Sequence, residues 1–434
     1  MEPVTQFSCC GRGRRLAAAS MLLMAAMSGS LVAAEPPSPL TSQALVDQVL
    51  RANASIAAYT AHQRARSAEA RSADALDDPR LSYAIAPKSV DDPSVDTGHI
   101  VGISQTLPWP GKRALRRRQA EALVDAARHG LHARRRELAF EARSAYADWA
   151  YLGAALRINQ GQQEQLRTLV AVAEQRYAAG SGTQQEPLAA QVRLMRLREA
   201  QWQLEAQREA VRGRINALRQ APMEHALPDA AGIPVRTQTP ELSRLMAAAE
   251  RNHPALSVLD ARARSADSQQ SLRDLARRPD VTLSANHVGT LPREPYRTQV
   301  GVALSLPLGQ DKYDAATASA RAQADALRAE RADLAHRLRA DVRSAHARWR
   351  AAERARQLYA DTLQSLAGQS RDAALALYSR GRGDVQAVID AETEWLAVHT
   401  GHLRSQRDAF QTLAELALLT GGALDAQLIP EARP

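Results

Sequence analysis

No proline interrupts the chain between Pro110 and Pro187, or between Pro307 and Pro430. Within each gap, apolar or neutral residues step by four and three without a break. The first run reads Leu138, Ala142, Ala145, Trp149, Leu152, Leu156, Asn159, Gln163, Leu166, Val170, Ala173, Tyr177. The second reads Leu338, Val342, Ala345, Trp349, Ala352, Arg356, Tyr359, Leu363, Leu366, Ser370, Ala373, Leu377. A sustained period of about 3.5 residues marks a coiled-coil seam. A helix over residues 111–177 would run ~100 Å at 1.5 Å per residue, several times the span of a small domain. Such a chain builds a stalk or a tube. Aromatic residues make up only 4% of it, which leaves little material for a thick globular core.

The two runs belong to a unit written twice. Arg64-Ala-Arg-Ser-Ala68 returns at Arg262–Ala266, and Arg143-Ser-Ala-Tyr-Ala-Asp-Trp149 returns as Arg343-Ser-Ala-His-Ala-Arg-Trp349. Leu107-Pro108 returns at Leu306-Pro307, and Tyr177-x-x-Gly180-x-Gly182 at Tyr378-x-x-Gly381-x-Gly383, with an offset that drifts from 198 to 201. The first repeat covers 35–220: a helical stretch at about 41–77, a β-hairpin at about 79–108, and a long helical hairpin at 111–219 with its tip at 178–183. A linker with four prolines spans 221–240. The second repeat covers 241–420, with a helical stretch at about 241–277, a β-hairpin at about 279–308, and a helical hairpin at 311–419 with its tip at 379–384. A tail, 421–434, completes the chain.

The short segments alternate. Val281, Leu283 and Ala285 interleave with Thr282, Ser284 and Asn286; Val300, Val302, Leu304 and Leu306 interleave with Gln299, Gly301, Ala303 and Ser305. Leu81, Tyr83 and Ile85, then Val101 and Ile103, are their first-repeat counterparts. One apolar and one polar face suits a membrane barrel strand, and equally a half-buried hairpin of a soluble protein. Four strands cannot close a barrel, and an open edge cannot face lipid. If these strands lie in a membrane, several chains must share them.

The N-terminus reads as an export signal: Arg12, Arg14 and Arg15 precede an apolar run ending Val32-Ala33-Ala34, which places cleavage after Ala34 and makes residues 1–34 a signal peptide. Both cysteines, Cys9 and Cys10, fall within it, so neither a disulfide nor a thiolate metal site is expected, nor a lipid anchor. Losing Glu2 and the three arginines lowers the net charge from +9 to +7. Arginine is interleaved with Glu, Asp and Gln rather than massed, which reads as solvated helix faces and not a nucleic-acid surface. After Ala34 no apolar stretch reaches the ~20 residues of a membrane-spanning helix.

The tandem repeat, the segment Gly102-Ile-Ser-Gln-Thr-Leu-Pro-Trp-Pro-Gly-Lys-Arg113 and the turns Arg176-Tyr-Ala-Ala-Gly180 and Leu377-Tyr-Ser-Arg-Gly381 resemble the TolC-type outer-membrane efflux proteins over essentially all of the mature chain. Gln105–Arg113 and Asp78-Pro79-Arg80-Leu81 are similar to the heavy-metal branch. The resemblance implies a mainly α protomer with a small β part, tandem-duplicated, whose four strands join those of two sister copies in a 12-stranded outer-membrane β-barrel. The long helices would continue as a periplasmic α-barrel. It implies a homotrimer set in outer-membrane lipid, with a periplasmic adaptor (membrane fusion protein) and an inner-membrane RND pump meeting the helical tips. The docking tips would be Gly180, Gly182 and Thr183, and Gly381, Gly383 and Asp384. Gly frees one helix, and Thr183 or Asp384 caps the next. Acidic residues just after the tips would narrow the periplasmic entrance: Asp390, with Ala387 departing from the two-Asp pattern of some members, and Glu186 after the first tip.

No phosphate loop, dinucleotide fingerprint or nucleophile elbow is present, so no enzyme activity and no cofactor are expected. His129 with His132, and His399 with His402, could share helix faces, but no HExxH accompanies them and surface positions explain them best. A passive exit duct, with heavy-metal cations favoured and drugs or secreted polypeptides as alternatives, is the expected function. The reading of a different class is a periplasmic coiled-coil scaffold or adaptor.

Overall fold

The computed structural model describes residues 38–86, 98–234, 241–289 and 298–428. The expected signal peptide, part of the linker (235–240) and the end of the tail (429–434) lie outside the described residues. One order of elements occurs twice. Helices α1 (Ser42–Ala52) and α2 (Ala54–Ser72) lead to strands β1 (Arg80–Ala86) and β2 (Gly98–Leu107), then to α3 (Lys112–Ala178) and α4 (Gln185–Leu218). In the second half α5 (Leu242–Asn252) and α6 (Pro254–Leu275) lead to β3 (Val281–Gly289) and β4 (Thr298–Leu304). There the long rod comes in three pieces: α7 (Gln310–Leu358), a π-helical turn (Tyr359–Leu363) and α8 (Gln364–Ser379). Helix α9 (Val385–Leu419) and the short α10 (Asp425–Leu428) close the chain.

The stretches expected as single helices at 41–77 and 241–277 are each broken at one residue, Asn53 and His253. At Asn53 the side chain accepts from the Ser55 N–H, which caps a new helix, and its Nδ2 donates to the Leu218 carbonyl. At His253 the ring Nδ1 accepts from the Ala255 N–H, and Pro254 takes the first helical position. The fourth strand ends at Leu304, so Leu306 stands beyond it.

The first seam is buried along most of its length, from Leu138 through Trp149, Leu156 and Gln163 to Ala173. The second holds through Leu338, Val342, Ala345 and Trp349 and then departs from the expected register. Leu366 and Leu377, expected inside, are exposed, whereas Ala367 and Tyr378 are buried. The π-helical turn is the reason. Its i→i+5 bonding inserts one residue into the turn, and everything below it faces one position later.

Two of the four apolar clusters among the described residues hold the helices around the tail and the linker. One joins Val342, Ala345 and Trp349 of α7 to Phe410, Leu413 and Leu416 of α9; the other joins Leu45 and Val49 of α1 to Leu138, Tyr146 and Trp149 of α3 and to Ile215 of α4. The described part of the linker is packed on this second cluster. Tyr146 donates its hydroxyl to the Gly232 carbonyl at 2.6 Å, and Trp149 Nε1 donates to the Pro228 carbonyl at 3.0 Å. The tail also folds back, with Asp425 accepting from Arg136 and Arg143.

The repeats are tied together where strands become helices. Lys112, 8% exposed at the start of α3, donates its Nζ to Asp280 Oδ1 at 2.8 Å and to the Arg278 carbonyl at 3.1 Å. Asp280 Oδ1 also accepts from the Trp109 N–H, and its own N–H donates to Ser305 Oγ.

Candidate channel wall, tips and entrance

The four strands form one antiparallel sheet in the order β1-β2-β3-β4. Register fixes its faces. Leu81, Ile103, Ala285 and Val300 make one row across the sheet, and Tyr83, Val101, His287 and Thr298 the next on the same face. This face is apolar and open: Leu81 is 78% exposed and Val300 82%. The opposite face carries the rows Ser82, Gly102, Asn286, Gln299 and Arg80, Ser104, Ser284, Gly301. At Gly102 the Ser82 hydroxyl and the Asn286 amide close over the space a Cβ would take. Apart from Arg80, the residues of these two rows are small or neutral. An apolar face of this size in water would be an aggregation surface; against lipid it is stable.

At the first tip α3 ends at Ala178 and Gly180 turns the chain with φ 69°. The capping role expected of Thr183 is not played by its hydroxyl. Helix α4 has Gln184 at its N-cap without a side-chain cap bond, and Glu186 instead reaches back to accept from the Thr183 N–H at 3.1 Å. This is the reach-back half of a capping box without its hydroxyl half. At the second tip Gly381 turns with φ 72°, and Asp384 is the N-cap of α9, accepting from the Gln386 N–H at 3.2 Å. Gly383 is held to Gly by crowding, since a Cβ there would lie 2.8 Å from the Tyr378 backbone nitrogen.

The two tips touch through a residue that sequence reasoning missed. Tyr378, 2% exposed, donates its hydroxyl to Glu186 Oε2 at 3.1 Å. Arg176 donates to the Tyr378 carbonyl at 2.9 Å, and its guanidinium lies 4.6 Å from the ring centroid. Burial and the neighbouring Glu186 carboxylate push the Tyr378 hydroxyl up to about 12, so it remains a donor across ordinary pH. Tyr177, its repeat counterpart, is 48% exposed. Their shared motif was visible in sequence; the partner 192 residues away was not.

Of the expected entrance residues, Glu186 is thus half-buried and bonded to the second tip, whereas Asp390 is exposed and accepts from Gln386 of its own helix, at 2.9 Å. Ala387 is exposed between them in sequence. A further acid that sequence reasoning passed over, Glu392, is buried in the bundle above the second tip. Burial raises its pKa, opposed by Gln162 and by the charges of Arg371 and Arg193, and its Oε2 has no hydrogen-bond partner among the described residues. His399 sits on the Trp395 ring, 3.7 Å between centroids, and His402 meets Gln406 at 2.9 Å. Among the described residues no group of three or more His, Cys, Asp or Glu is placed to hold a metal, and no helix is long and apolar enough to cross a membrane.

A sheet with a lipid-compatible face, opening at one end into helical rods of this length, defines an outer-membrane channel with a periplasmic stalk. The profile of the family described as "Outer membrane efflux protein" matches residues 45–221 and 245–422. The chain belongs to that family: it is an outer-membrane efflux channel reaching into the periplasm, and not an enzyme. Among solved structures, VceC of Vibrio cholerae superposes with a TM-score of 0.75 at 18% identity, over 88% of this chain and 96% of that one. CusC gives 0.75 at 15%, over 88% and 92%, and the open-state MtrE channel of Neisseria gonorrhoeae 0.73 at 17%, over 88% and 89%. These likenesses are of fold. Among curated proteins no sequence relative of this chain was found. With the family shown, a soluble scaffold or an adaptor no longer fits.

Proposed function

We propose that three copies of this chain share their strands in one 12-stranded barrel and form the passive exit duct of a tripartite efflux system for heavy-metal cations. The observation that carries this reading is the sheet. Its apolar face is bare, and its outer strands, β1 and β4, have edges that no described strand of the same chain covers. In hydrocarbon those edges must pair, and a ring of copies joining β4 to β1 pairs all of them. Helices carry matching signs. Leu188, Val192, Met195 and Trp202 are exposed on α4, and Leu358, Leu366, Leu375 and Leu377 on the α7–α8 rod, two apolar stripes that a neighbouring copy would bury.

The turns Gly180–Thr183 and Gly381–Asp384 are the docking points for a periplasmic adaptor, which links the duct to an inner-membrane pump. They lie at the far end of ~100 Å rods, where a partner can reach both. Asp390, exposed one turn inside the second tip, contributes a threefold carboxylate ring to the entrance; Glu186 acts there as the tie between tips. The residues of the two lumen-side strand rows bear no carboxylate, so attraction of cations falls to the entrance. The heavy-metal assignment rests on the segments at Asp78–Leu81 and Gln105–Arg113 and on this ring.

Cysteine pairs scanned along β1 and β4 should cross-link copies into trimers, and the purified protein should raise the conductance of a planar bilayer. A soluble monomer without conductance overturns the duct. Asp390→Asn should lower cation over anion selectivity. Loss of the gene should lower tolerance to divalent metals, silver or copper; loss of tolerance to amphiphilic drugs alone would move the substrate to that class.

A further inference from the structure

The lipid-facing side of the sheet is apolar for only part of its height. Its rows start at the stalk with Leu107, Val281 and Leu304 and are apolar, Gln105 excepted, through Ile103 and Val300. Four hydrogen-bonding side chains then interrupt it: Tyr83, His287 and Thr298 in one row, and His99 in the next. All four are exposed. In hydrocarbon such groups are costly, so they stand where the headgroups begin. Spacing agrees. Trp109, half-buried where β2 gives way to the stalk, and His99 are ten residues apart. Along a strand that is ~33 Å, and at a tilt of ~40° it spans ~25 Å of the membrane normal, the height of a barrel's apolar band between its interfacial girdles.

The four side chains form two pairs of the same kind. The Tyr83 hydroxyl lies 2.8 Å from His99 Nδ1, and the two rings stack with centroids 6.1 Å apart and planes at 14°. The Thr298 hydroxyl lies 3.3 Å from His287 Nδ1. Each imidazole is thus held through Nδ1, and neither Nε2 is bonded among the described residues. Gly289, directly opposite His99, leaves the space beside that ring without a side chain. His99 and His287 are diagonal neighbours on adjacent strands, with backbones ~7–8 Å apart, so one bound group can meet both rings. The residues of these two rows include no carboxylate. Two ring donors side by side, with no acceptor supplied between them, suit an oxyanion with several lone-pair oxygens.

We propose that Tyr83, His99, His287 and Thr298 form a headgroup site on the outside of the barrel, which holds a phosphate of the phosphorylated glycolipid in the outer leaflet. The hydroxyls of Tyr83 and Thr298 donate to the two Nδ1 atoms, which sets both Nε2 atoms as N–H donors to one phosphate. Position decides the source of that phosphate. The stalk leaves the other end of the sheet for the periplasm, so these rows lie in the leaflet turned to the exterior, where the phosphorylated glycolipid resides. The site belongs to one chain and needs the sheet to lie in lipid, whatever number of copies closes the barrel.

The test titrates the protein, purified in an uncharged detergent, with three lipids and reads binding by native mass spectrometry. The probes are a bis-phosphorylated acylated glucosamine disaccharide, the same glycolipid without phosphate, and phosphatidylglycerol. The first should fill one site per chain and bind roughly tenfold more tightly than either of the others. His99→Leu combined with His287→Leu should abolish that preference and leave bilayer conductance at the wild-type level, since both rings are on the face away from the lumen. Equal binding of the phosphate-free glycolipid, or the full preference kept in the double variant, would overturn the site. Equal binding of phosphatidylglycerol would overturn its assignment to the outer leaflet. Should the double variant not assemble, Tyr83→Phe with Thr298→Val, which deletes only the hydroxyls that hold the rings, must weaken the phosphorylated glycolipid about threefold. Unchanged affinity there also overturns the site. If the unaltered protein fails to conduct, the duct reading falls, while the titration still decides the headgroup site.

Discussion

The two helical hairpins descend from one pattern and end differently. In the first, α3 runs 67 residues as continuous α-helix and presents Tyr177 to solvent. In the second the rod is broken by a π-turn and presents Tyr378 inward. The partner side shows why. Tyr378 finds Glu186 in the first hairpin, but the residue matching Glu186 in the second, 201 positions on, is Ala387, which offers Tyr177 no acceptor. The two arms differ in this acceptor and in one residue of length.

The largest way to break this comparison is to change phase where no π-turn takes it up. Deleting one residue of α3 between Leu156 and Leu166 turns the rest of the rod by about 100° and exposes Leu166, Leu169 and Ala173. The tip bundle should then be lost, seen as rapid amide exchange below residue 160, while deletion of Ala360 leaves exchange slow. Next is the tyrosine pair. Tyr378→Ala should cost about 3–5 kcal/mol in urea unfolding of the stalk, because it vacates an aromatic site, whereas Tyr177→Ala should stay within about 0.5 kcal/mol. Equal losses would remove the asymmetry. Smaller still, Gly383→Ala drives a Cβ into backbone and should cost roughly 1–3 kcal/mol. Gly182→Ala meets only the Arg176 Cβ and the movable Glu186 carboxylate, both at 3.3 Å, and should cost less.

The smallest effect is in pH. Glu392 is matched in the first hairpin by Gln191, 201 positions earlier, which cannot ionise. Burial raises the pKa of Glu392, so the folded bundle takes up a proton more readily than the unfolded chain. Its contribution is present in acid and is lost as pH rises through that raised value. The second hairpin should therefore be stabler at pH 5 than at pH 8, read by exchange against the first hairpin. Glu392→Gln should flatten the difference.

Sequence alone carried the rods, because proline and heptad spacing act locally and over many residues. It carried the strand faces for the same reason, period two being visible in Val300, Val302 and Leu304. The register slip at Tyr359 was present as a drift in the repeat offset, yet a drift does not say where the extra residue sits; only backbone bonding localises it. Asn53 as a helix break was hidden because one Asn in an Ala-rich stretch is tolerated in a helix as well as at its start. Tyr378 with Glu186 was invisible for want of any local signal. Glu186 itself stood out by its place after the tip, but nothing nearby in the chain reveals that its oxygens are already occupied.

The lysine at the head of α3 has one more consequence. Its carboxylate partner belongs to the other half of the gene product, so each half on its own would strand a charge at the collar where sheet meets stalk. Splitting the coding sequence at the linker should thus yield two fragments that are sound only when co-expressed.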